Sequence, residues 1–332
     1  MTTAPAVSVV LPVRDGGHCL ATAAASILDQ TRPDLELLVV DDGSRDGAVA
    51  ALPPEPRLRR LAARGRGIVA ALNTGLAAAQ APVIARMDAD DVARPDRLAR
   101  QLALLQAEPD VDIVGAEVRI VTDHGSPGAG YRRYEAWIND LRTPSAIAAA
   151  MFVESPIPHP TAVMRRTALE RLGGYREAPW AEDYDLWLRA HLAGCRMAKP
   201  AGVLLDWHDG PHRLSRRDPR CSDAAFTAAR AHYLIRGPAA RRPLVIWGAG
   251  TYGGRLCDAL VREGGDVRAF IDIDPRRIGG HKRNRPVQGP GDPLPPRALV
   301  LAAVRSAGAR ERIAAHLTGR GLREGTDFIA AG

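Results

Sequence analysis

The chain is short of several things. Aromatic residues make up only 5% of its 332 positions, and lysine occurs only as Lys199 and Lys282, against an abundance of arginine. Cysteine occurs four times, at Cys19, Cys195, Cys221 and Cys257, with no C-x-x-C pair. Scattered thiols exclude a disulfide framework and the paired zinc-ribbon pattern, and predict reduced, mostly buried side chains. No apolar run approaches the roughly 20 residues that cross a bilayer. The opening "MTTAPAVSVVLPVRDGG" lacks a basic segment followed by a long apolar one, so no secretory signal is expected. A cytoplasmic location follows as the expectation. Basic stretches are not interleaved with stacking aromatics, so nucleic acid is not an expected partner.

What is there is ordinary globular material: 46% hydrophobic and 25% charged residues. The length predicts two domains. A net charge of +7 favours a polyanionic ligand or an anionic membrane surface, and peripheral contact with the inner face of a membrane is compatible with it. An oligomer is equally compatible with the sequence.

The first third alternates short apolar runs with helical patterns. "VSVVL" (7–11) and "LELLVV" (35–40) are apolar on both faces, as buried parallel strands are. Leu20, Ala24, Ile27 and Leu28 carry helical spacing between them. "GIVAALNTGLAAAQ" reads as a helix and "PVIARM" as a strand; Pro95 suits the first turn of a helix whose buried face is Leu98, Leu102 and Leu105. Strand–helix–strand order implies an open α/β sheet, with ligands bound beyond the carboxyl ends of the strands. Asp41-Asp42 and Asp88 to Asp91 both sit at such ends. Further on, "EDYDLWLRAHLAG" (182–194) reads as a helix closed by Gly194, and "DWHDGPHRLSRRDPRCS" (206–222) as a polar loop. The helix "DAAFTAARAHYLI" (223–235) and a linker follow, and then a second, smaller α/β unit.

Three constellations carry chemistry. In "LLVVDDGSRDG" a buried strand runs into two acids; Asp42 suits a nucleoside's donors, or caps a turn. In "IARMDADDVARPDRL" three aspartates crowd into four positions. Two carboxylates about 4 Å apart repel by about 4 kcal/mol at an effective dielectric near 20. A Mg²⁺ or Mn²⁺ ion would relieve that and leave room for substrate phosphates. The plain alternative is a solvated loop with Asp91 capping the next helix. In "WAEDYDLWLRA", Glu182 and Asp183 sit where a helix N-terminus favours anions, either as caps or as a general base facing a cleft; Asp185 and Arg189 form an i,i+4 pair.

Together these stretches resemble the family-2 inverting glycosyltransferases of the GT-A fold. The resemblance runs from about Val7 to Ser222 and rests on ordered pieces: "VSVVLPVRDG", "SILDQTRPDLELLVVDDGSRDG", "GIVAALNTGL", "IARMDADDVARPDRLARQ", "HPTAVMRR", "LGGY" and "AEDYDLWLR". It implies a mostly parallel open sheet with flanking helices, a nucleotide-sugar donor that is expected to be UDP-linked, and a glycan or lipid-linked acceptor in surface-glycan or polysaccharide assembly. Pro12 and Asp42 would contact the nucleoside. Asp90 would be the main ligand of Mn²⁺ or Mg²⁺, with Asp88 assisting. Asp183 would take the acceptor's proton, supported by Glu182. Asn73, Arg86 and His159 fall in segments that line the family's cleft, and His159 also suits a satisfied core histidine. Where many relatives carry a Tyr that stacks on uracil, this chain has Arg14, whose guanidinium can stack on a base or grip a phosphate. His208, His212 and Arg213 suit a loop over the diphosphate, or plain solvated polarity.

The expected organisation is a GT-A domain over 1–222, a helix and linker over 223–242, and a Rossmann-like domain over 243–332. In the last, "WGAGTYGGRL" sets Gly248, Gly250 and Gly253 between a strand and a helix, and Asp272 ends the next strand. This is the spacing of a dinucleotide fingerprint. It leaves open a second nucleotide site, an NAD-linked oxidoreductase or sensor with an inactive N-terminal domain, and a purely structural role. The loop "PRRIGGHKRNRP" (275–286) reads as solvated basic surface.

Overall fold

The computed structural model describes residues 4–122, 128–210 and 213–332. His212 falls outside the described residues. The chain forms two compact units. The first comprises Met1–Ala148, Pro156–Ala178 and Asp185–Arg217; the second comprises Ala149–Ser155, Pro179–Tyr184 and Asp218–Gly332.

The first unit is built on a seven-stranded sheet in the order Leu58–Ala62, Leu35–Asp41, Val7–Val13, Val83–Arg86, Val163–Arg165, Val111–Val114, Arg196–Ala198. Pairing is parallel except where Val163–Arg165 runs against both of its neighbours. The central strand Val7–Val13 is buried at every position, which is why its sequence carries no polar alternation. Helices Cys19–Leu28, Ile68–Ala78 and Arg97–Ala107 flank the sheet. The predicted stripe Leu98, Leu102 and Leu105 is buried in the main core with Val9, Leu11, Leu37 and Val39.

Pro12 sits inside this strand without breaking the ladder. The Val10 carbonyl accepts from Met87, so even-numbered residues face the strand Val83–Arg86. That pairing ends at Val10 opposite Arg86, so the missing N–H of Pro12 lies beyond the ladder's last pair. Pro95 lies one residue ahead of the cap Asp96 rather than in the first helical turn.

A second sheet orders Val92–Ala93, Val203–Asp209 and Glu117–Thr122. The segment expected as a loop from 206 therefore begins as strand. Long-range parallel pairing with Glu117–Thr122 overrides its polar composition.

The second unit holds a six-stranded sheet in the order His281–Lys282, Arg285–Gln288, Asp266–Ile271, Pro243–Trp247, Leu299–Ala302, Phe328–Ala330. Helix Asp223–Arg236 packs on helix Thr251–Arg262, and Asp223 pairs with Arg255 at 3.1 Å and Arg305 at 2.6 Å. The basic stretch expected as open loop contains a hairpin. Arg283 and Asn284 take φ of 51° and 58°, the left-handed pair that a tight two-residue turn requires.

Candidate active site

The carboxyl ends of Val7–Val13 and Leu35–Asp41 open onto a cavity of about 320 Å³, lined by Arg14, Asp41, Asp42, Arg45, Gly65 and Arg66 among others. Its size falls in the range of small-ligand sites. Both Asp42 oxygens accept from the Gly67 amide, at 2.9 and 3.0 Å, so this carboxylate fixes the loop that leads into helix Ile68–Ala78. Arg14 stands 4.0 Å from Asp42 and is largely exposed. Two acids among three arginines suit a ligand with a hydrogen-bonding base at one end and anionic charge at the other.

The acidic cluster follows the adjacent strand Val83–Arg86. One oxygen each of Asp88, Asp90 and Asp91 lie within 4.8 Å of one another. Asp90 is the most exposed of the three, Asp88 half-buried and Asp91 buried. Crowding and lost hydration act together. Desolvation first, and the Asp88 charge second, raise the pKa of Asp90. Burial first, then Asp88 and Asp90, push Asp91 well above the ordinary carboxylate range. Asp91 does not cap the helix. Its Oδ1 accepts from the His208 amide at 2.9 Å, and its Oδ2 is buried with no hydrogen-bond partner among the described residues. Hard oxygen donors at this spacing, one with an orphaned oxygen, fit Mg²⁺ or Mn²⁺.

Cations back the cluster from inside. Arg86 is buried and ion-pairs with Asp88. Arg97 is fully buried and donates to the Arg86 carbonyl at 2.7 Å and to Gln101 at 3.1 Å. Burial lowers its pKa to about 9, against the pull of Asp91 and Asp88, which leaves it charged at neutral pH.

Asn73 and His159 are spoken for. The Asn73 amide donates to the Tyr175 carbonyl at 2.9 Å and accepts from the Tyr175 N–H at 3.0 Å. The Tyr175 hydroxyl meets His159 Nε2 at 2.8 Å, and the edge of Trp187 closes the other side. Burial, then the Arg86 charge, lower the His159 pKa well below its usual value. It is a neutral core histidine.

In the second unit, Asp183 lies in the first turn of helix Glu182–Leu192, next to Glu182. Its Oδ1 accepts from the Tyr184 amide at 2.7 Å, and Ser155 Oγ lies 3.5 Å from Oδ2. Burial first, then the charges of Asp183 and Glu182, push the Cys221 thiol up to about 12.

Residues 8–173 match the family described as glycosyl transferase family 2. The chain belongs to this family. An uncharacterized glycosyltransferase of Haemophilus influenzae is 28% identical to this glycosyltransferase over 61% of the chain and 66% of its own length. The O-antigen biosynthesis glycosyltransferase WbnJ of Escherichia coli is 27% identical over 55% of the chain and 70% of its own. Among solved structures, the mannosyltransferase PcManGT of Pyrobaculum calidifontis, in complex with GDP-Man and Mn²⁺, superposes with a TM-score of 0.51 at 26% identity. That likeness covers 70% of this chain and 63% of the other. The chain thus spans about two thirds of the length of these relatives. The sheet order and flanking helices are those of the GT-A fold.

The glycosyltransferase also carries the glycine turn, in its second unit. A Cβ at Gly253 would stand 1.8 Å from the Gly248 carbonyl, so that glycine serves helix-on-strand packing. At Gly250 no atom would meet a Cβ within 4 Å. Asp272, the acid that a dinucleotide's ribose would need, is already engaged. Its Oδ2 accepts from the Ala249 amide and from Arg277, each at 2.9 Å, and its Oδ1 from the Asp274 amide at 3.0 Å. Burial works to raise its pKa, and these bonds outweigh it and hold the group below the ordinary range.

One neighbour of this glycosyltransferase's site gave no signal in the sequence: Arg97 is one arginine of many, and neither residue type nor spacing marks it. His208 stood out as a side chain suited to a diphosphate, whereas its contact with Asp91 is made by its backbone amide. No described helix is long and apolar enough to cross a membrane.

Proposed function

We propose that the protein transfers a sugar from a nucleoside diphosphate donor, UDP-linked as the motifs imply, to a hydroxyl of a surface-glycan or lipid-linked acceptor, with a divalent cation and inversion at the anomeric carbon. The observation that carries this reading is the cluster of Asp88, Asp90 and Asp91, with oxygens within 4.8 Å at the strand end beside the Arg14–Asp42 cavity's strand. PcManGT, 26% identical, carries Mn²⁺ with its sugar nucleotide, which supports the metal, although its nucleotide is GDP-linked. WbnJ's part in O-antigen biosynthesis supports a glycan acceptor.

In this reading Asp90 and Asp88 would hold the cation, with Asp91 beside them, and a cation held there would supply electrostatic stabilisation for the departing diphosphate. Asp42 orders the loop under the nucleoside, and Arg14 replaces an aromatic platform with a planar cation. Arg86 and Arg97 hold the aspartates in place and offset their repulsion. Asp183 accepts the acceptor's proton as the hydroxyl oxygen bonds the anomeric carbon, and Glu182 supports it. An aspartate is a weak base, so the proton leaves late, when the attacking hydroxyl has become acidic.

The test is UDP release and sugar transfer with Mn²⁺, measured across a panel of UDP- and GDP-sugars. Asp90→Ala should lose metal stimulation, and Asp183→Asn should lose turnover while still binding UDP. Wild-type turnover in both variants would remove the role assignments.

A further inference from the structure

We propose that helix Asp223–Arg236 is the positioning element for Asp183, and that Arg230 is the residue through which the glycine-turn helix Thr251–Arg262 steadies the segment bearing it. The proposal rests on the reading of Asp183 as the base.

The segment 179–184 is gripped on both sides of Asp183 by that one helix. Three residues before it, Trp180 packs on His232, with centroids 5.1 Å apart, and edge-on to Tyr233 at 6.1 Å. One residue after it, the fully buried Tyr184 stacks on Phe226 at 4.8 Å and 16° from parallel. The Tyr184 hydroxyl donates to the Met151 carbonyl at 2.9 Å. This draws in residues 149–155, whose Ser155 lies next to the Asp183 carboxylate.

Arg230 joins these pieces. It is 1% exposed and stands 5.9 Å from the ring centres of both Tyr184 and Phe226. It donates to the Val153 carbonyl at 2.6 Å and to the Tyr252 hydroxyl at 3.2 Å, and Glu154 lies 3.5 Å away. Tyr252 lies in the first turn of helix Thr251–Arg262, and its hydroxyl donates in turn to Ala331 at 2.6 Å. A buried guanidinium needs such partners, because its charge cannot be hydrated and cannot be given up. Where Arg230 sits therefore constrains Tyr184, and Tyr184 is bonded to Asp183. The helices that carry Arg230 and Tyr252 thus act on the segment of their own unit that bears Asp183. A base displaced by about 1 Å costs about 100-fold in rate.

The experiment uses the full chain. Mn²⁺–UDP binding is measured by calorimetry, and turnover with the sugar nucleotide from which the wild type releases UDP fastest. Arg230→Gln should lower kcat by about 10- to 100-fold while the Kd for Mn²⁺–UDP stays within about twofold. Arg230→Lys, which keeps the charge and can reach one acceptor, should recover part of the loss. Tyr252→Phe should give a smaller loss of the same kind. Unchanged kcat in Arg230→Gln overturns the proposal, and so does a loss matched by an equal weakening of UDP binding. If Arg230→Gln does not fold, Phe226→Leu is judged by the same two criteria. Asp183→Asn separates the two ideas. Its retained turnover sinks the base assignment, whereas its inactivity beside a fully active Arg230→Gln sinks only the positioning role.

Discussion

Asp91 and His208 are joined by a 2.9 Å hydrogen bond from the His208 amide to Asp91 Oδ1, across 117 residues of chain. The bond ties the acidic cluster to the strand Val203–Asp209. It leaves Oδ2 buried without a hydrogen-bond partner among the described residues. An arrangement of this kind is costly when ionised and bare, and becomes favourable when a cation sits beside it.

Asp91→Asn should therefore act in opposite directions with and without metal. In chelator the variant should melt a few degrees higher than the wild type, because a crowded, buried carboxyl that must either carry a charge or take up a proton is gone; with a domain of this size about 1 kcal/mol corresponds to about 2–4 °C. Mn²⁺ should raise the melting temperature of the wild type more than that of the variant. Thermal melts in EDTA and in excess Mn²⁺ measure both. Equal Mn²⁺ shifts in the two proteins would exclude Asp91 from the metal shell.

Lys199 predicts a pH dependence of stability. It is buried, donates to the Ile138 carbonyl at 2.6 Å, and is pushed by burial from 10.5 to about 7. Between these values the unfolded chain binds more protons than the folded one, so stability rises with pH across the window. The penalty is complete below pH 7 and fades towards pH 10.5. Lys199→Met should flatten that rise in a series of denaturant melts. A slope unchanged by the substitution would place its origin elsewhere.

Cys221 reports on its acidic neighbours. With its thiol pushed up to about 12, it should react far more slowly with iodoacetamide at pH 8 in the native protein than after denaturation. Asp183→Asn removes one of the charges that raise it, and should speed native labelling severalfold. Peptide mass mapping of the labelled cysteines reads both rates. Labelling of Cys221 at the denatured rate in the native protein would contradict the burial described here.

Asp272 predicts the behaviour of the glycine turn toward NAD(H). Its oxygens serve Ala249, Asp274 and Arg277, so the ribose hydroxyl of a dinucleotide would have to displace bonds already made. NADH titrated into the full chain should show no fluorescence enhancement at micromolar concentrations. Tight NADH binding would mean that Arg277 and Asp272 rearrange.

Local, short-range signals were legible in the sequence. The buried strands announced themselves by apolarity on both faces, the helix Arg97–Ala107 by its leucine spacing, and the acidic cluster by the repulsion implied by three aspartates in four positions. The ordered motifs sufficed for the family, because each depends on neighbours in the chain. What only the tertiary structure decided are relationships between distant residues. Asn73 is spent on Tyr175, 102 residues away, and the backbone of His208 serves Asp91. Arg97 is a buried counter-charge that no local pattern marks. Val203–Asp209 is a strand because it found a parallel partner in Glu117–Thr122. The physical reason is common to all four. Periodicity and turn chemistry are written in adjacent residues, whereas desolvation and hydrogen-bond satisfaction depend on what the folded chain brings alongside.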